Sequence, residues 1–94
     1  MYSFDWDENK NRINLEKHGI TFEEASTVFF DDRAILFDDP EHSINEDRFL
    51  LLGISETSKV CIVCHCYRES DTVIRIISAR QATRKEEERY VRGI

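Results

Sequence analysis

Residues 73–90 read VIRIISARQATRKEEERY, and the change of character halfway along decides the fold. Val73, Ile74, Ile76 and Ile77 are β-branched and nearly consecutive, so the stretch opens as a strand running to about Ala79. It closes as a helix, because Thr83 is followed three residues later by Glu86, a pair that can satisfy two orphan backbone groups at a helix start. Around this joint sit Arg75, Arg80, Arg84 and Lys85. A guanidinium within an apolar strand is costly to bury unless an anion meets it, and phosphate suits its planar fork.

Working outward, Val60 to Tyr67 and Phe49 to Ile54 read as two further long strands. The connections around Glu56-Thr57-Ser58 and Glu69-Ser70-Asp71 are short enough for antiparallel hairpins. Ala34 to Phe37 reads as a shorter strand, followed by the acidic loop Asp38 to Asp47. At the start, Tyr2, Phe4 and Trp6 alternate with Ser3 and Asp5 as in a half-buried strand. Asp7 can cap a first helix through about Lys17, stopped by Gly19, with Lys17 and His18 complementing its dipole. Its pattern is odd, for Lys10, Asn14 and Lys17 share one face while Ile13 and Leu15 point nearly opposite ways. Such a stripe is a solvated face or the lining of a cleft. Thr21 and Glu24 make the next capping box, and Phe22, Ala25, Val28 and Phe29 give the second helix an apolar face that should lie on the sheet. The elements predict an α+β fold, a central antiparallel sheet of about four to five strands with two N-terminal helices and one C-terminal helix.

All three late strands are apolar on both faces, which predicts cover above and below. The C-terminal helix offers only Tyr90 and Val91 for the second face, so another chain is expected to complete part of it, or the groove beside that polar helix.

Ninety-four residues make one domain, 1–94, with a modest core. No run approaches transmembrane length, and Met1 to Trp6 lacks the charged and apolar regions of a secretory signal, so a cytoplasmic protein is expected. Three cysteines, an odd number, argue against a disulfide framework. The net charge of −6 is segregated: residues 1–30 carry three positive and six negative side chains, 31–47 one and seven, and 48–94 nine and six. A local basic site on an acidic protein is therefore possible, with weaker attraction to RNA than a basic domain would have.

Cys61-Ile62-Val63-Cys64-His65-Cys66 has the spacing of a haem attachment and superficially of a zinc site. Strand geometry undoes both, since Cys61 and Cys64 must face opposite sides while Cys64 and Cys66 share one. No metal or other cofactor is expected. His65 shares the face of Cys61 and Val63, and is either a core histidine bonded to a neighbour or a general acid or base. His18 reads as a capping residue, and His42, near Asp38, Asp39 and Glu41, as part of a solvated connection. Regular alternation sets Arg75 and Arg80 on opposite faces unless a bulge near Ser78-Ala79 re-aims the strand end. Arg75 could equally make an ion pair with an acid from the first helix or the acidic loop. For Arg80 and Arg84, at the strand exit and first helical turn, phosphate is the stronger reading.

The sequence resembles the BrnT family, the toxin half of BrnT/BrnA type II toxin-antitoxin pairs, related in fold to RelE-like ribonucleases. The resemblance runs nearly end to end. It rests on Phe4-x-Trp6-Asp7 with Lys10, Asn14 and Lys17-His18-Gly19-Ile20, and on Thr21-Phe22-Glu23-Glu24-Ala25. Asp39-Pro40-x-His42-Ser43 with Asp47-Arg48 extends it, as does Arg75-Ile76-Ile77-Ser78-Ala79-Arg80-x-Ala82-Thr83-Arg84 with Tyr90. It implies metal-independent cleavage of RNA, inhibition of translation, and a BrnA-like antitoxin of the ribbon-helix-helix class that neutralises the toxin in a hetero-oligomer and binds operator DNA. By position, the implied active-site groups are Lys10, His65, Arg75 and Arg80, with Arg84 and Lys17 on the substrate.

Without a metal, RNA is cut when the 2′-OH attacks the adjacent phosphorus. That needs a base, positive donors on the phosphorane oxygens and an acid at the leaving oxygen. Arginines cannot deprotonate usefully, so Arg75, Arg80 and Arg84 are assigned to charge stabilisation and Lys10 or His65 to protons. The alternative is a module without catalysis that grips an antitoxin-like partner.

Overall fold

The computed structural model describes residues 3–42 and 46–93, the side chain of His42 excepted. Tyr2 of the expected first strand and Ser43 of the acidic loop lie outside the described residues. The element order is β1 (Ser3–Asp5), α1 (Glu8–His18), α2 (Phe22–Thr27), a 3-10 turn (Val28–Phe30), β2 (Ile35–Asp38), a second 3-10 turn (Pro40–His42), β3 (Phe49–Ile54), β4 (Val60–Arg68), β5 (Val73–Gln81) and α3 (Arg84–Arg92). Among the described residues no helix is long and apolar enough to cross a membrane.

One five-stranded sheet runs in the order β1-β5-β4-β3-β2, antiparallel throughout except where β1 lies parallel to β5. Directly paired residues share a face, so the register sorts the side chains. Phe49, Leu51, Cys61, Val63, His65, Ile74, Ile76 and Ala79 fall on a first face, while Leu50, Leu52, Ile62, Cys64, Cys66, Arg75, Ser78 and Arg80 fall on the second.

The first face carries the main core. Ile20, Phe22, Ala25 and Val28 are fully buried against Leu51, Cys61, Val63, Ile74, Ile76 and Ala79. Burying a Phe or Ile side chain is worth about 1.5–3 kcal/mol, so α2 and its 3-10 extension are anchored here. Close approach depends on Gly53, where an added Cβ would stand 2.8 Å from Val28 Cγ1 and 3.0 Å from the Ala34 Cβ. The second face has a smaller core of Leu52, Ile62 and Tyr90 under α3. Val91 remains 70% exposed, so of the two apolar residues expected to cover this face only Tyr90 does so.

The helix ends follow the sequence. Asp7 accepts from the N–H groups of Asn9 and Lys10, and Gly19 closes α1 in the left-handed conformation. Thr83 and Glu86 form the full reciprocal capping box on α3. The box expected at Thr21 and Glu24 is only half made: Thr21 receives the Glu24 N–H at 3.0 Å, but the Glu24 carboxylate reaches Ser55 at 2.8 Å and Thr57 instead. That exchange ties α2 to the β3–β4 turn.

Candidate functional site

Past Asp5, β1 ends and leaves the edge of β5 open, and α1 fills the gap with a polar side chain. Asn14 Nδ2 donates to the carbonyls of Ala79 at 2.8 Å and Ile20 at 2.9 Å, while Oδ1 accepts the Ala79 N–H at 3.1 Å. The amide thus replaces a strand along the β5 edge. Asn11, also buried, accepts the Phe22 N–H at 2.7 Å and donates to Glu23 at 2.9 Å. The odd pattern of α1 is explained: its buried face is made of asparagines that serve backbone groups.

Opposite α1, β5 carries one extra residue. Cys64 pairs with Ser78 but His65 pairs with Ile76, so Ile77 has no partner across the ladder. The bulge resets alternation and puts Arg75 and Arg80 on the same second face. Beyond it, Arg80 exits toward α3. Its guanidinium grips Glu86 with two hydrogen bonds, at 2.8 and 2.9 Å. The same carboxylate accepts the Thr83 N–H at 2.8 Å, and the Arg80 donors hold its pKa down at about 2.

A cleft of about 510 Å³ opens on this face between β5 and the segment around Asp39. His18 at the end of α1, Arg80 and Ser78 on β5, and Arg48 at the entry to β3 line it. Asp39, Glu41 and Cys64 line it as well. Among the described lining residues two arginines and a histidine thus face two carboxylates. Cys64 points its Sγ at Asp39 from 3.9 Å, and its pKa is raised by burial and by the negative charge of Asp39. The thiol stays protonated. Arg48 and Asp39 are held side by side by the Asp39 N–H, which donates to the Arg48 carbonyl at 2.9 Å.

The residues singled out in the sequence divide between different places. Arg80 lines the cleft. Arg75 shares its face but is bound by Asp5 of β1 at 2.5 Å, so the acid comes neither from the first helix nor from the acidic loop. Arg84 is almost wholly exposed on α3, at the long distance of 4.0 Å from Glu88. Lys10 and Lys17 are exposed on α1, and Lys10 lies two turns before His18, about 12 Å along the axis.

His65 lies on the first face, away from the arginines, fully buried between Phe29 and Tyr67 with ring centroids at 4.8 and 5.3 Å. Its Nδ1 contacts the Val63 carbonyl at 3.1 Å and its Nε2 the Tyr67 hydroxyl at 3.3 Å. Burial pushes its pKa down, and the Val63 carbonyl offsets part of that. The ring is therefore a neutral core group on the face of the sheet opposite the cleft. His18 and Arg48 are the cleft residues that composition and spacing passed over. Both stand in the motifs quoted above, Lys17-His18-Gly19-Ile20 and Asp47-Arg48, which were the available signal. Among the described residues no three His, Cys, Asp or Glu side chains gather as metal ligands.

A family model described as "Ribonuclease toxin, BrnT, of type II toxin-antitoxin system" matches residues 6–86. The crystal structure of the Brucella abortus ribonuclease toxin, BrnT, superposes with a TM-score of 0.69 at 22% identity, covering 89% of this chain and all of that one. At that identity the likeness shows the fold, including the mixed α+β architecture of sheet and three helices. Comparison with curated proteins gives no match.

Proposed function

Since the chain belongs to the BrnT family of ribonuclease toxins from type II toxin-antitoxin systems, we propose that it cleaves RNA in the second-face cleft by metal-independent attack of the 2′-OH on the adjacent phosphorus. One observation carries this reading. The bulge at Ile77 delivers Arg80 to the concavity that His18 and Arg48 also line. Arg80 and Arg48 supply donors for the phosphorane oxygens, and a fork that meets carboxylate bidentately meets phosphate in the same way. His18 is the described histidine at the cleft and takes the proton-transfer role. Arg75 extends the cationic side of this face, Lys10, Lys17 and Arg84 hold the RNA chain on either side, and His65 acts from the core by fixing β4. The protein works in the cytoplasm, paired with a BrnA-like ribbon-helix-helix antitoxin.

A second reading has its own support. Arg75 and Arg80 are already paired with Asp5 and Glu86, and Asp39 and Glu41 stand in the cleft, an arrangement that would suit a partner-gripping module without catalysis.

Purified protein incubated with total RNA and excess chelator separates the two. The nuclease reading expects fragments ending in 2′,3′-cyclic phosphate, lost in Arg80→Ala and His18→Gln while both variants remain folded. Tight antitoxin binding without RNA fragments establishes the binding module instead, and cleavage that stops on chelation defeats the metal-free route.

A further inference from the structure

A second concavity, of about 580 Å³, opens on the opposite side of the sheet, beyond the cover that α2 provides. Leu36, Phe49 and Tyr67 form its floor from three adjacent strands. The rings of Phe49 and Tyr67 stand edge to face at 5.3 Å, and Leu36 is 52% exposed although it lies on the apolar first face. Glu46, Asp47 and Asp71 complete the lining, so that among the described lining residues three are acids and none is basic. Of these acids Glu46 has Arg68 beside it, at 3.3 Å. RNA is repelled from such a place. Aromatic faces attract cations, and carboxylates bind guanidinium groups strongly.

We propose that this groove seats a basic, apolar-flanked segment of the protein antitoxin, with an arginine or lysine against Phe49 and Tyr67, Asp47 and Asp71 as its counter-charges, and an aliphatic neighbour on Leu36. The assignment rests on the chain being the toxin of a type II pair. Charge complementarity selects the occupant: a flat apolar floor alone would accept many partners, but an acidic rim rejects acidic ones and steers basic ones in. Because the groove and the cleft lie on opposite faces, changes here should alter antitoxin affinity and leave RNA cleavage alone.

The test is calorimetric titration of the full chain with the purified antitoxin that neutralises it on co-expression, at low and moderate salt. Asp47→Asn/Asp71→Asn keeps the side-chain shapes, and asparagine tolerates the left-handed backbone at position 71, where φ is 67°. This variant should bind about tenfold more weakly and with a flatter salt dependence. Leu36→Lys, at an exposed position, should lose at least as much, while thermal melting and RNA cleavage stay those of the parent in both. Peptides tiling the antitoxin should include one that binds the parent and fails on Leu36→Lys, and it should carry Arg or Lys beside aliphatic residues.

Unchanged affinity in both variants overturns the proposal, as does an acidic peptide as the binding segment or self-association of the chain through this groove. Absence of RNA cleavage by the parent protein would instead remove the nuclease reading, and the affinity series would still decide the groove.

Discussion

Asn14→Ala should be the most damaging single change outside the apolar core. The substitution leaves the carbonyls of Ile20 and Ala79 and the N–H of Ala79 facing a methyl group. Each buried polar group left unpaired costs about 1–3 kcal/mol. Some relaxation and water entry at a sheet edge reduce the sum, so the expected loss is about 3–4 kcal/mol. A chain of this length holds roughly 5–14 kcal/mol in all. The melting temperature should therefore fall by at least about 12 °C. Urea titration at pH 7, followed by circular dichroism with an unchanged slope, measures the loss directly. Asn14→Asp adds a sign. A carboxylate oxygen would stand where Nδ2 now donates to two carbonyls, so the folded-state pKa of the new group would be raised. Such a group costs stability as pH rises above its unfolded value of about 4 and costs less below it. This variant should sit closer to the parent at pH 4 than at pH 7. A loss under about 1 kcal/mol for Asn14→Ala, or a gap independent of pH for Asn14→Asp, would refute the idea that this amide stands in for a strand.

Tyr90→Phe removes a hydrogen bond from the hydroxyl to Asp31 at 2.6 Å, and should cost about 1–2 kcal/mol. Burial and the neighbouring Asp31 push the Tyr90 pKa up to about 12, so the parent should lose this contribution as pH rises from about 10 toward 12, a limb missing in the variant. Glu86→Gln should cost at most about 1 kcal/mol at pH 7, because the Arg80 pair is partly solvated. In the parent that contribution is complete above the ordinary value of 4.5 and disappears as pH falls through about 2; acid titration of both proteins by circular dichroism checks the difference. The cysteines should resist alkylation of the native protein at pH 8, since burial, with Glu24 nearby, pushes Cys61 up to about 11, and burial also raises Cys64 and Cys66. Rapid labelling of native protein by iodoacetamide, read by mass spectrometry, would show the fourth strand to be more open than described.

Much of the fold could be read in the chain because its signals are local. The β-branched run at 73–77 and the apolar runs at 49–54 and 60–67 marked β5, β3 and β4, and the Thr83/Glu86 pair marked the start of α3 to the residue. Non-local choices were hidden. Asn11 and Asn14 look like solvent-facing residues until the backbone groups they serve are known, and apolar periodicity has no means of showing a helix docked through amides. The parallel pairing of β1 with β5 rests on three residues, too few to declare a partner. Glu24 sits where a capping box puts it, yet Ser55 and Thr57, some thirty residues on, compete successfully for its carboxylate. At the site, the arginines were visible as charges in an apolar strand. Their counter-ions were not, because Asp5 reaches Arg75 only through the strand pairing.

Placement of Arg80 shows how these hidden choices combine. Strict alternation from Ile74 would put Arg80 into the first core, among the apolar side chains of Val63, Ile76 and Phe22. A guanidinium there would cost several kcal/mol. The extra residue at Ile77 avoids this by turning Ala79 inward and Arg80 outward, but a bulge also loosens the ladder at the sheet edge. Asn14 offsets that weakness at the neighbouring Ala79, bonding both of its backbone groups, and the same helix brings His18 to the cleft. Glu86 then receives the redirected arginine and starts α3 with the same carboxylate. Bulge, amide and capping acid are thus mutually dependent: without the bulge the arginine is on the wrong face, without Asn14 the bulged edge is unsupported, and without Glu86 the guanidinium reaches the cleft with no fixed orientation.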